Sequence, residues 1–378
     1  MDIIVCHPFL QSTGGGDRVV LEIAKRFNPT IYSVVYDKQA TFHELGEFDI
    51  RILPKSIMEM PFSLIRQDAR RFNAASAGFR YIQAKFTDYD AICAMGCPAE
   101  WVRARNSRVS WFCFSPNRES FDLHDYRMSE MSFPRRMLNH GMLSLYKAAE
   151  YSIVPNIEQI ITTSDVVRDR ISKYLHRNDA TVISPGVDCS EFHNSGYGKF
   201  FFYPSRIVPE KRFEYAIAAF KLFSSRIKGW KLIIGGFLSN SPRDLNYFAK
   251  LKELSSGLDV EFRLNLTEPQ LKELYATCHS VLFCAINEDY GFIPLEAMAS
   301  EKPIISVNEG GPCGTILNNR TGFLVNSPEE MASAMERVTA DSSIVEEMGK
   351  AGRNHVLQNY TWKSFADRLE AKFKEVSG

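Results

Sequence analysis

The stretch NEDYGFIPLEAMASEKPIISVNEGGP, residues 287–312, carries the pattern that decides the fold. An apolar run at 280–286 precedes it and predicts a buried strand, and the run at 303–309 inside it predicts another. Between them, Pro294 predicts the first position of a helix, because the first helical turn does not use the N–H group that proline lacks. Strand, helix and strand in this order predict two parallel strands joined by a crossover helix.

Two glutamates of this stretch fall on different predicted elements. Glu288 precedes Gly291 in the loop, whereas Glu296 lies in the predicted first turn of the helix. In open α/β sheets, ligands bind beyond the carboxyl ends of the strands, where helix N-termini present N–H groups to anions. A ligand that lies across the helix start would meet both carboxylates. The arrangement therefore predicts a cradle for a sugar nucleotide.

The same alternation of apolar runs and helical patterns extends over all 378 residues and predicts an α/β fold with parallel sheets. Single cores stop growing at roughly 250–300 residues, so we expect two domains. A segment rich in Gly, Ser and Asn at 185–200 places their boundary near residue 190. The predicted strands are 2–7, 30–36, 90–96, 108–114, 159–164 and 181–186, followed by 199–205, 231–237, 260–266, 280–286, 303–309 and 322–326.

Two helix starts carry capping signals. Ser327 precedes Pro328 and is followed by Glu330 three residues later, which is a typical N-terminal arrangement. Thr361 precedes the last helical pattern, whose apolar residues recur at helical spacing and predict that this helix packs on another element. These residues are Trp362, Phe365, Leu369 and Phe373.

The composition is that of a soluble globular protein, with 45% hydrophobic and 24% charged residues. The eight cysteines form no CxxC pair, and most lie in apolar runs, which favours buried free thiols in a reducing compartment. No basic segment followed by a long apolar stretch opens the chain, so we expect a cytoplasmic protein. The one Asp-x-Asp, at 88–90, lies just before a strand, and we expect no metal there.

Positive charge is concentrated in one part of the chain, since residues 51–147 hold fifteen Lys and Arg against nine Asp and Glu. Within it, SLIRQDARRFNAASAGFRYIQAKF (63–86) mixes apolar residues with cations, as a basic amphipathic helix does. A solvated helix face is one interpretation, and binding to an anionic membrane or a phosphorylated acceptor is the other. No nucleic-acid motif accompanies the charge, so we expect no nucleic-acid partner. The cations are Arg66, Arg70, Arg71, Arg80 and Lys85.

Two further turns lie at predicted strand ends. Gly14, Gly15 and Gly16 lead into a helix predicted from Asp17, and glycines let a backbone approach a phosphate without interference from Cβ atoms. A plain flexible loop is the alternative, because the spacing does not match a dinucleotide fingerprint. In SRIVPEKR, Arg206 and Lys211 would together clamp a diphosphate, with a solvated loop as the alternative.

Taken together, these residues resemble the retaining family 4 glycosyltransferases of GT-B fold. The resemblance rests on E-x7-E from Glu288 to Glu296 with the glycine pair at 310–311, and on PSRIVPEK, ISPGVD and the closing YTW. It implies two Rossmann-like domains whose parallel sheets face a central cleft. Residues 1–190 would bind the acceptor and residues 191–360 the nucleotide sugar, and the helix at 361–378 would cross back to the N-terminal domain.

The resemblance also implies roles for individual residues. Glu288 would hold hydroxyls of the transferred sugar, Glu296 would hold the ribose, and Arg206 with Lys211 would neutralise the leaving phosphates. That charge would do the work of a metal, so neither a metal nor another cofactor is expected. The backbones that would face the diphosphate and the sugar are those of Gly15, Gly16, Asp289, Tyr290, Gly291 and Phe292.

A finer resemblance concerns the sugar donor. HPFLQSTGGGDRV and NEDYGFIPLEAM look like the enzymes that use GDP-mannose to extend lipid-linked oligosaccharides and O-antigens. FSPNRESFD, at 114–122, is similar to their His-Thr-Pro-x-Arg-x-x-Trp-Asp pattern, and it keeps Arg118 and Asp122. Phe114 stands where the family has histidine, so a different sugar or acceptor is used, or another group supplies the contact. His7 and His124 are the candidates by proximity to the motifs, and an ordinary structural or surface role is the alternative for each.

The sequence thus predicts a retaining transferase that moves a hexose, with mannose as the first candidate, from a nucleotide diphosphate sugar to a hydroxyl of a glycan or lipid-linked acceptor. It would work in the cytoplasm or peripherally on the inner face of the membrane. Alternatives are a GT-B relative that uses UDP-glucose or UDP-GlcNAc, one with epimerase or phosphorylase chemistry, and a non-catalytic subunit that binds a glycan. A NAD-dependent oxidoreductase would need a tighter glycine fingerprint.

Overall fold

The computed structural model describes residues 1–56, 69–129 and 131–377, without the side chains of 69–74 and 135. The chain divides into two compact units. The first comprises Met1–Ser184 and Phe365–Gly378, and the second comprises Pro185–Ser364. The change of unit thus falls at 184–185, within a few residues of the boundary that the sequence predicts.

Unit 1 contains a seven-stranded sheet in the order β5-β3-β1-β6-β7-β8-β9, and all neighbouring strands pair in parallel. A small second sheet pairs β2 with β4. The strands are β1 Ile3–Cys6, β2 Phe9–Leu10, β3 Thr30–Ser33, β4 Val35–Tyr36, β5 Ile50–Ile52, β6 Ala91–Met95, β7 Val109–Cys113, β8 Gln159–Thr162 and β9 Thr181–Val182, and the helices are α1 Gly15–Phe27, α2 Ala69–Gln83, α3 His124–Ser129, α4 Phe133–Ile153 and α5 Asp165–Leu175.

Unit 2 contains a six-stranded parallel sheet in the order β12-β11-β10-β13-β14-β15. Its strands are β10 Phe200–Pro204, β11 Lys231–Gly236, β12 Val260–Leu264, β13 Ser280–Phe283, β14 Ile304–Val307 and β15 Gly322–Val325. Its helices are α6 Phe213–Arg226, α7 Pro242–Leu254, α8 Glu268–Thr277, α9 Phe292–Ala299, α10 Pro312–Thr315, α11 Pro328–Ala340 and α12 Ser342–Asn359, and α13 Trp362–Ser377 closes the described chain.

The strand order of unit 2 reverses at one place. The chain builds β10, β11 and β12 outward in one direction, and then returns to place β13 on the other side of β10. At such a switch point the loops that follow the two central strands diverge and leave a crevice, in which ligands of doubly wound sheets bind. The loops after β10 and β13 carry Lys211 and Glu288 respectively, so the topology brings these two predicted site residues to one edge.

The apolar runs that predict strands form the two cores. In unit 2, side chains of β10, β13 and α6 are buried together, with Phe202, Phe220 and Phe283 at 0–1% exposure. In unit 1, Trp111 on β7 is completely buried, with neighbouring strands on both sides. Strands buried on both faces lack polar alternation, which is why these runs are continuous in the sequence.

Three details of the strand prediction are wrong. The run at 30–36 is two strands rather than one, because the chain leaves the main sheet at Val34 and pairs with β2 from Val35. The short strands β2 and β5 were not predicted, since two or three residues carry too little periodicity to stand out.

The predicted starts of two helices are also wrong, each by two residues. Helix α1 begins at Gly15 rather than at Asp17, and α9 begins at Phe292, so Pro294 is its third residue and Glu296 lies beyond its first turn. Proline fits this third position because none of the first N–H groups of a helix has an intrahelical acceptor. The predicted cap of α11 is confirmed, since the Ser327 hydroxyl accepts from the Glu330 N–H at 3.2 Å.

The terminal helix α13 buries the predicted apolar face. Phe365, Leu369 and Phe373 are at most 2% exposed, and the rings of Phe365 and Phe112 lie 5.7 Å apart between centroids. Arg26 of α1 pairs with carboxylates of the same helix at Asp367 and Glu370. The helix therefore begins in unit 2, and from Phe365 onward it belongs to unit 1.

Other predictions concern cysteines and the basic segment. All eight cysteines are free, and most are buried, but Cys97 is half-buried and Cys313 is exposed, because it lies on the short helix α10. In the basic segment 63–86, Arg66 and the side chains of Arg70 and Arg71 lie outside the described residues. The Arg80 guanidinium donates a hydrogen bond to the Leu53 carbonyl at 3.1 Å. None of the described helices combines the length and apolarity needed to cross a bilayer.

Candidate functional site

An ion pair lies at the switch point of unit 2. Lys211 ends a single 3-10 turn after β10, and its ammonium binds the carboxylate of Glu288 in the loop after β13. The two side chains are only 15% and 24% exposed, and the ammonium lies 5.5 Å from the ring centroid of Phe283. The structure thus brings together two of the three residues predicted to be catalytic.

Hydrogen bonds to the backbone fix the turn that carries Lys211. The buried Tyr203 hydroxyl donates to the Lys211 carbonyl and accepts from the Cys284 N–H at 3.0 Å. Burial raises the pKa of Tyr203 well above its usual value, so this hydroxyl keeps its proton. The loops after β10 and β13 therefore form one hydrogen-bonded unit.

Sequence reasoning missed a second ion pair beside the first. Arg212, in the left-handed conformation with φ 47°, donates to the Cys284 carbonyl at 2.7 Å and pairs with Glu309. Glu309 also accepts from the Asn287 N–H at 3.1 Å, one residue before Glu288. Adjacent cations at 211 and 212 and an acid directly before the glycine pair were the signal that could have revealed it.

The glycine pair at 310–311 packs against the loop that carries Glu288. Gly310 has φ +75°, and a Cβ atom there would lie 2.5 Å from the Glu288 nitrogen. A Cβ atom on Gly311 would lie 2.6 Å from the Tyr290 Cα, and the Gly311 N–H donates to the Glu288 carbonyl at 2.7 Å. Only glycine leaves space for this contact between two backbones.

The predicted donor-binding residues of this loop differ in what they contact. Tyr290 is 5% exposed, and its hydroxyl donates to the Pro185 carbonyl in ISPGVD. Its ring lies edge-on to that of Phe292, 5.3 Å away, whereas Gly291 has φ +90° and caps α9. The side chain of Tyr290 thus supports the loop, and the backbone of Asp289 to Phe292 remains the predicted ligand contact.

Glu296 is half-buried on α9, where its carboxylate accepts a hydrogen bond from the Tyr275 hydroxyl at 2.7 Å. Burial, with a further contribution from Glu296, raises the pKa of Tyr275. Arg206 is exposed, and within the described part of the chain its side chain has no hydrogen bond or ion pair. The structure does not join Arg206 to the pair of Lys211 and Glu288.

The motifs at the two ends of unit 2 also meet. A Cβ atom on Gly186 would lie 2.3 Å from the Trp362 nitrogen, and the Val187 N–H donates to the Tyr360 carbonyl at 3.0 Å. The backbones of ISPGVD and YTW therefore pack against each other, although Gly186 and Tyr360 are 174 residues apart in the sequence.

In unit 1, the glycine-rich turn is held by a buried carboxylate. Asp17 accepts from the Ser12 N–H at 2.9 Å and from the Ser12 hydroxyl at 3.0 Å, and it lies 3.3 Å from His7 Nε2. His7 Nδ1 lies 3.1 Å from the Met95 carbonyl oxygen. The imidazole thus has one oxygen neighbour at each ring nitrogen, and it links the glycine-rich turn to the end of β6.

Gly15 and Gly16 are the first two residues of α1, whose first N–H groups have no acceptor within the helix. The ring of Phe114 lies beside Gly16, since a Cβ atom on Gly16 would be 3.8 Å from it. The same ring lies edge-on to His7, with 6.4 Å between centroids. Phe114 and His7 are therefore neighbours at this helix start.

The other residues of the 114–122 motif form an ion network. Arg118 donates two hydrogen bonds to Asp122 Oδ2, at 3.1 and 2.9 Å, and Arg170 lies 3.5 Å from the same carboxylate. Arg170 also donates to the Ser115 hydroxyl at 3.1 Å. His124 lies apart from this network, with Nδ1 3.3 Å from the Glu119 carbonyl oxygen.

Among the residues that the structure describes, no three His, Cys, Asp or Glu side chains are grouped as a metal site requires. The loop after β10 carries the cationic side chains Arg206, Lys211 and Arg212, and the first N–H groups of α1 have no acceptor within the helix. Fixed donors of this kind suit a phosphorylated ligand whose negative charge increases during reaction.

These features define an α/β enzyme of GT-B type, and comparisons with known proteins agree. Residues 191–355 match the family described as glycosyl transferases group 1. The alpha-1,3/1,6-mannosyltransferase of Neurospora crassa is 30% identical over 97% of this chain and 89% of its own length. The enzyme of the same name from Dictyostelium discoideum is 23% identical over 100% and 98% of the two chains.

The chain therefore belongs to the group 1 glycosyl transferases. The crystal structure of Anabaena HepE in complex with UDP and glucose covers 99% of each chain with a TM-score of 0.74. Its sequence identity is 15%, so this likeness concerns the fold. The predicted α/β fold with parallel sheets, the GT-B type and the glycosyltransferase activity are thus confirmed.

Proposed function

We propose that this chain is a retaining mannosyltransferase that transfers mannose from GDP-mannose to a hydroxyl of a lipid-linked glycan. The mannosyltransferase names of two relatives that match along nearly the whole chain support the sugar. The observation that carries the site assignment is the pair of Lys211 and Glu288 at the switch point of unit 2.

In the proposed reaction, the bond between the sugar C1 and the diphosphate oxygen breaks, and a bond from C1 to the acceptor oxygen forms on the same face. The acceptor proton passes to a phosphate oxygen of the leaving nucleotide diphosphate. Lys211 and Arg206 stabilise the charge that develops on that group, and Glu288 holds a sugar hydroxyl. In unit 1, the N–H groups of Gly15 and Gly16 suit a phosphate or a sugar hydroxyl.

Glu288→Gln tests the proposal directly. The amide keeps the size of the side chain but removes the charge that binds Lys211, so we expect kcat/KM for GDP release from GDP-mannose to fall about 100-fold. Glu336→Gln is the matched control, because Glu336 of α11 forms a surface ion pair with Arg226 of α6 at 2.7 Å. Full activity of Glu288→Gln would overturn the role of this carboxylate.

The donor is tested by thermal shift with GDP-mannose, UDP-glucose and UDP-GlcNAc, followed by nucleotide release from each. A ligand at 100 times its Kd stabilises the folded state by about 2.7 kcal/mol, which is a readily measured shift. We expect the largest shift and the fastest release with GDP-mannose. If either UDP-sugar gives the larger shift and the faster release, that sugar and not mannose is the one transferred. If none of the three compounds raises the melting temperature or releases nucleotide, the transferase site is contradicted.

Arg206→Ala separates phosphate binding from sugar binding. Removing an exposed guanidinium should weaken GDP binding about tenfold and leave the unfolding free energy unchanged. Arg226→Ala is the control, since Arg226 is an exposed arginine of the same unit.

We also propose that the reaction needs no metal ion. Turnover should then be unchanged in EDTA, and a loss of turnover that Mg²⁺ or Mn²⁺ restores would contradict this.

The acceptor side is tested at Phe114. Phe114→His restores the family residue beside His7 and Gly16, so it should change transfer to a lipid-linked acceptor while leaving GDP-mannose affinity within about twofold.

We further propose that the protein associates peripherally with an anionic membrane, since a lipid-linked acceptor is presented there.

A further inference from the structure

Helix α4, Phe133–Ile153, is held in unit 1 by one polar face. Asn139 and Glu150 are at most 1% exposed, and the Trp101 indole donates to the Glu150 carboxylate at 2.6 Å. The ring of Tyr146, which lies on the same side of the helix, stands 5.2 Å from that of Trp101. These contacts determine which side of α4 turns away from the core.

The opposite face of α4 is apolar and exposed. Phe133 and Leu145 are each 73% exposed, Met137 is 61% exposed and Leu138 is 55% exposed. With Tyr151, this helix carries five of the eleven large hydrophobic side chains that are exposed in the described part of the chain. Single exposed hydrophobic residues are ordinary, but a contiguous group on one helix marks an interaction surface.

The charged residues of α4 outside its buried face are all cations. Residues 131–149 contain three cations, Arg135, Arg136 and Lys147, and no aspartate or glutamate. Arg136 is exposed, and the ammonium of Lys147 lies 5.4 Å from the ring centroid of Phe121 at the edge of the helix. The acid of this helix, Glu150, is on the buried side.

We propose that the exposed face of α4 binds an anionic lipid bilayer, with the helix lying in the plane of the interface. An apolar face of Phe, Met and Leu flanked by cations is the arrangement of an interfacial helix, and the cations match the charge of anionic headgroups. A second copy of this chain fits less well, because pairing two such helices would bring like charges together. The inference rests on the proposed function, since it names where a lipid-linked acceptor is met.

The test is co-sedimentation of the purified 378-residue chain with two kinds of vesicle, phosphatidylcholine alone and phosphatidylcholine with about a third phosphatidylglycerol. We expect the wild-type chain to bind the anionic vesicles. The double variant Leu138→Ser/Leu145→Ser should reduce the partition coefficient at least tenfold, because two side chains no longer enter the bilayer interface. Leu245→Ser/Leu254→Ser is the matched control, as these are exposed leucines of α7, 42% and 44% exposed.

Charge is tested separately by Arg136→Gln, which should weaken binding to anionic vesicles about fivefold and leave binding to neutral vesicles unchanged. Arg226→Gln, an exposed arginine on α6, is its control. Thermal unfolding and GDP release from GDP-mannose are measured for every variant. Thermal unfolding should match wild type because the substituted side chains are exposed. GDP release should match because none of these side chains is assigned to the donor.

Each outcome decides a different point. Equal vesicle binding by wild type and Leu138→Ser/Leu145→Ser would overturn the assignment of α4 as the lipid surface. A wild-type dimer in solution that the same variant dissociates would show that a second copy covers this face and would also overturn it. Absence of vesicle binding with normal GDP release would reject the surface and leave the transferase intact, whereas vesicle binding without GDP release would do the reverse.

Discussion

Two glycine-rich turns look alike in the sequence and differ in the structure. Gly14 to Gly16 in unit 1 and the pair Gly310 and Gly311 in unit 2 both follow a strand and both lead into a helix. At Gly310 a Cβ atom would lie 2.5 Å from backbone atoms of the same unit, whereas at Gly16 the nearest atom would be 3.8 Å away, on the ring of Phe114.

The difference teaches what each set of glycines does. In unit 2 the glycines let one loop pack on another, so they determine where Glu288 lies and need not touch a ligand. In unit 1 a Cβ atom on Gly16 would meet only the Phe114 ring within 4 Å, and the first N–H groups of α1 have no acceptors in the helix. A glycine required by the fold and a glycine that leaves room for a ligand therefore respond differently to the same substitution.

Gly310→Ala should have the largest effect. The left-handed backbone at φ +75° and the close approach to Glu288 both oppose a methyl group, so we expect the free energy of unfolding to fall by about 3 kcal/mol. Urea unfolding measures this loss. Gly314→Ala is the control, because a Cβ atom there would meet nothing within 4 Å, and its unfolding free energy should be unchanged or slightly higher.

Gly16→Ala should have the opposite signature. A methyl group inside the first turn of α1 is sterically permitted, and alanine favours helix over glycine by up to about 1 kcal/mol, so stability should not fall. Activity should fall about tenfold, as the methyl group occupies space next to open N–H groups. Both are measured together, by urea unfolding and by GDP release from GDP-mannose.

The control for Gly16→Ala is Gly141→Ala on α4, where a Cβ atom also meets nothing within 4 Å. It should raise helix stability by a similar amount and leave GDP release unchanged. Retention of full activity by Gly16→Ala would mean that the glycines of unit 1 serve the fold as well, and the contrast between the two turns would disappear.

The fold could be predicted from the sequence, but most of the difference between the two glycine turns could not. Parallel strands buried on both faces are written as continuous apolar runs, so the main strands and the unit that carries Glu288 and Glu296 were predictable. The pairing of Lys211 with Glu288 was partly predictable, since both follow strands of one sheet, although they are 77 residues apart.

Contacts that depend on packing were not predictable. Nothing in NEDYGF shows that the Tyr290 side chain turns inward to a carbonyl 105 residues earlier, or that the glycine pair packs on the Glu288 backbone. The start of α9 was misplaced because proline is tolerated at any of the first helical positions, so Pro294 limits the start without fixing it. Arg118 and Asp122 pair at an i,i+4 spacing, but no local pattern shows that Arg170 approaches the same carboxylate.

A smaller difference in stability is expected between the starts of α1 and α7, which are held in similar ways. In each unit a serine binds a buried aspartate five residues later, Ser12 with Asp17 and Ser239 with Asp244, and both aspartates are 5% exposed. Asp17 has additional contacts with His7 and with the Thr41 hydroxyl, which donates to it at 3.4 Å. Substituting asparagine for either aspartate weakens hydrogen bonds to the serine, but only Asp17→Asn also removes the negative charge beside the imidazole.

We therefore expect Asp17→Asn to lower the unfolding free energy by about 1 kcal/mol more than Asp244→Asn does, as a hydrogen bond to a charged group is worth more than one between neutral groups. The double-mutant cycle with His7→Gln isolates the contribution of this contact. Equal losses at Asp17 and Asp244, with no coupling to His7, would show that the carboxylate of unit 1 holds only its own turn. Coupling of the expected size would mean that His7 and Asp17 together hold the glycine turn beside Phe114, at the start of α1.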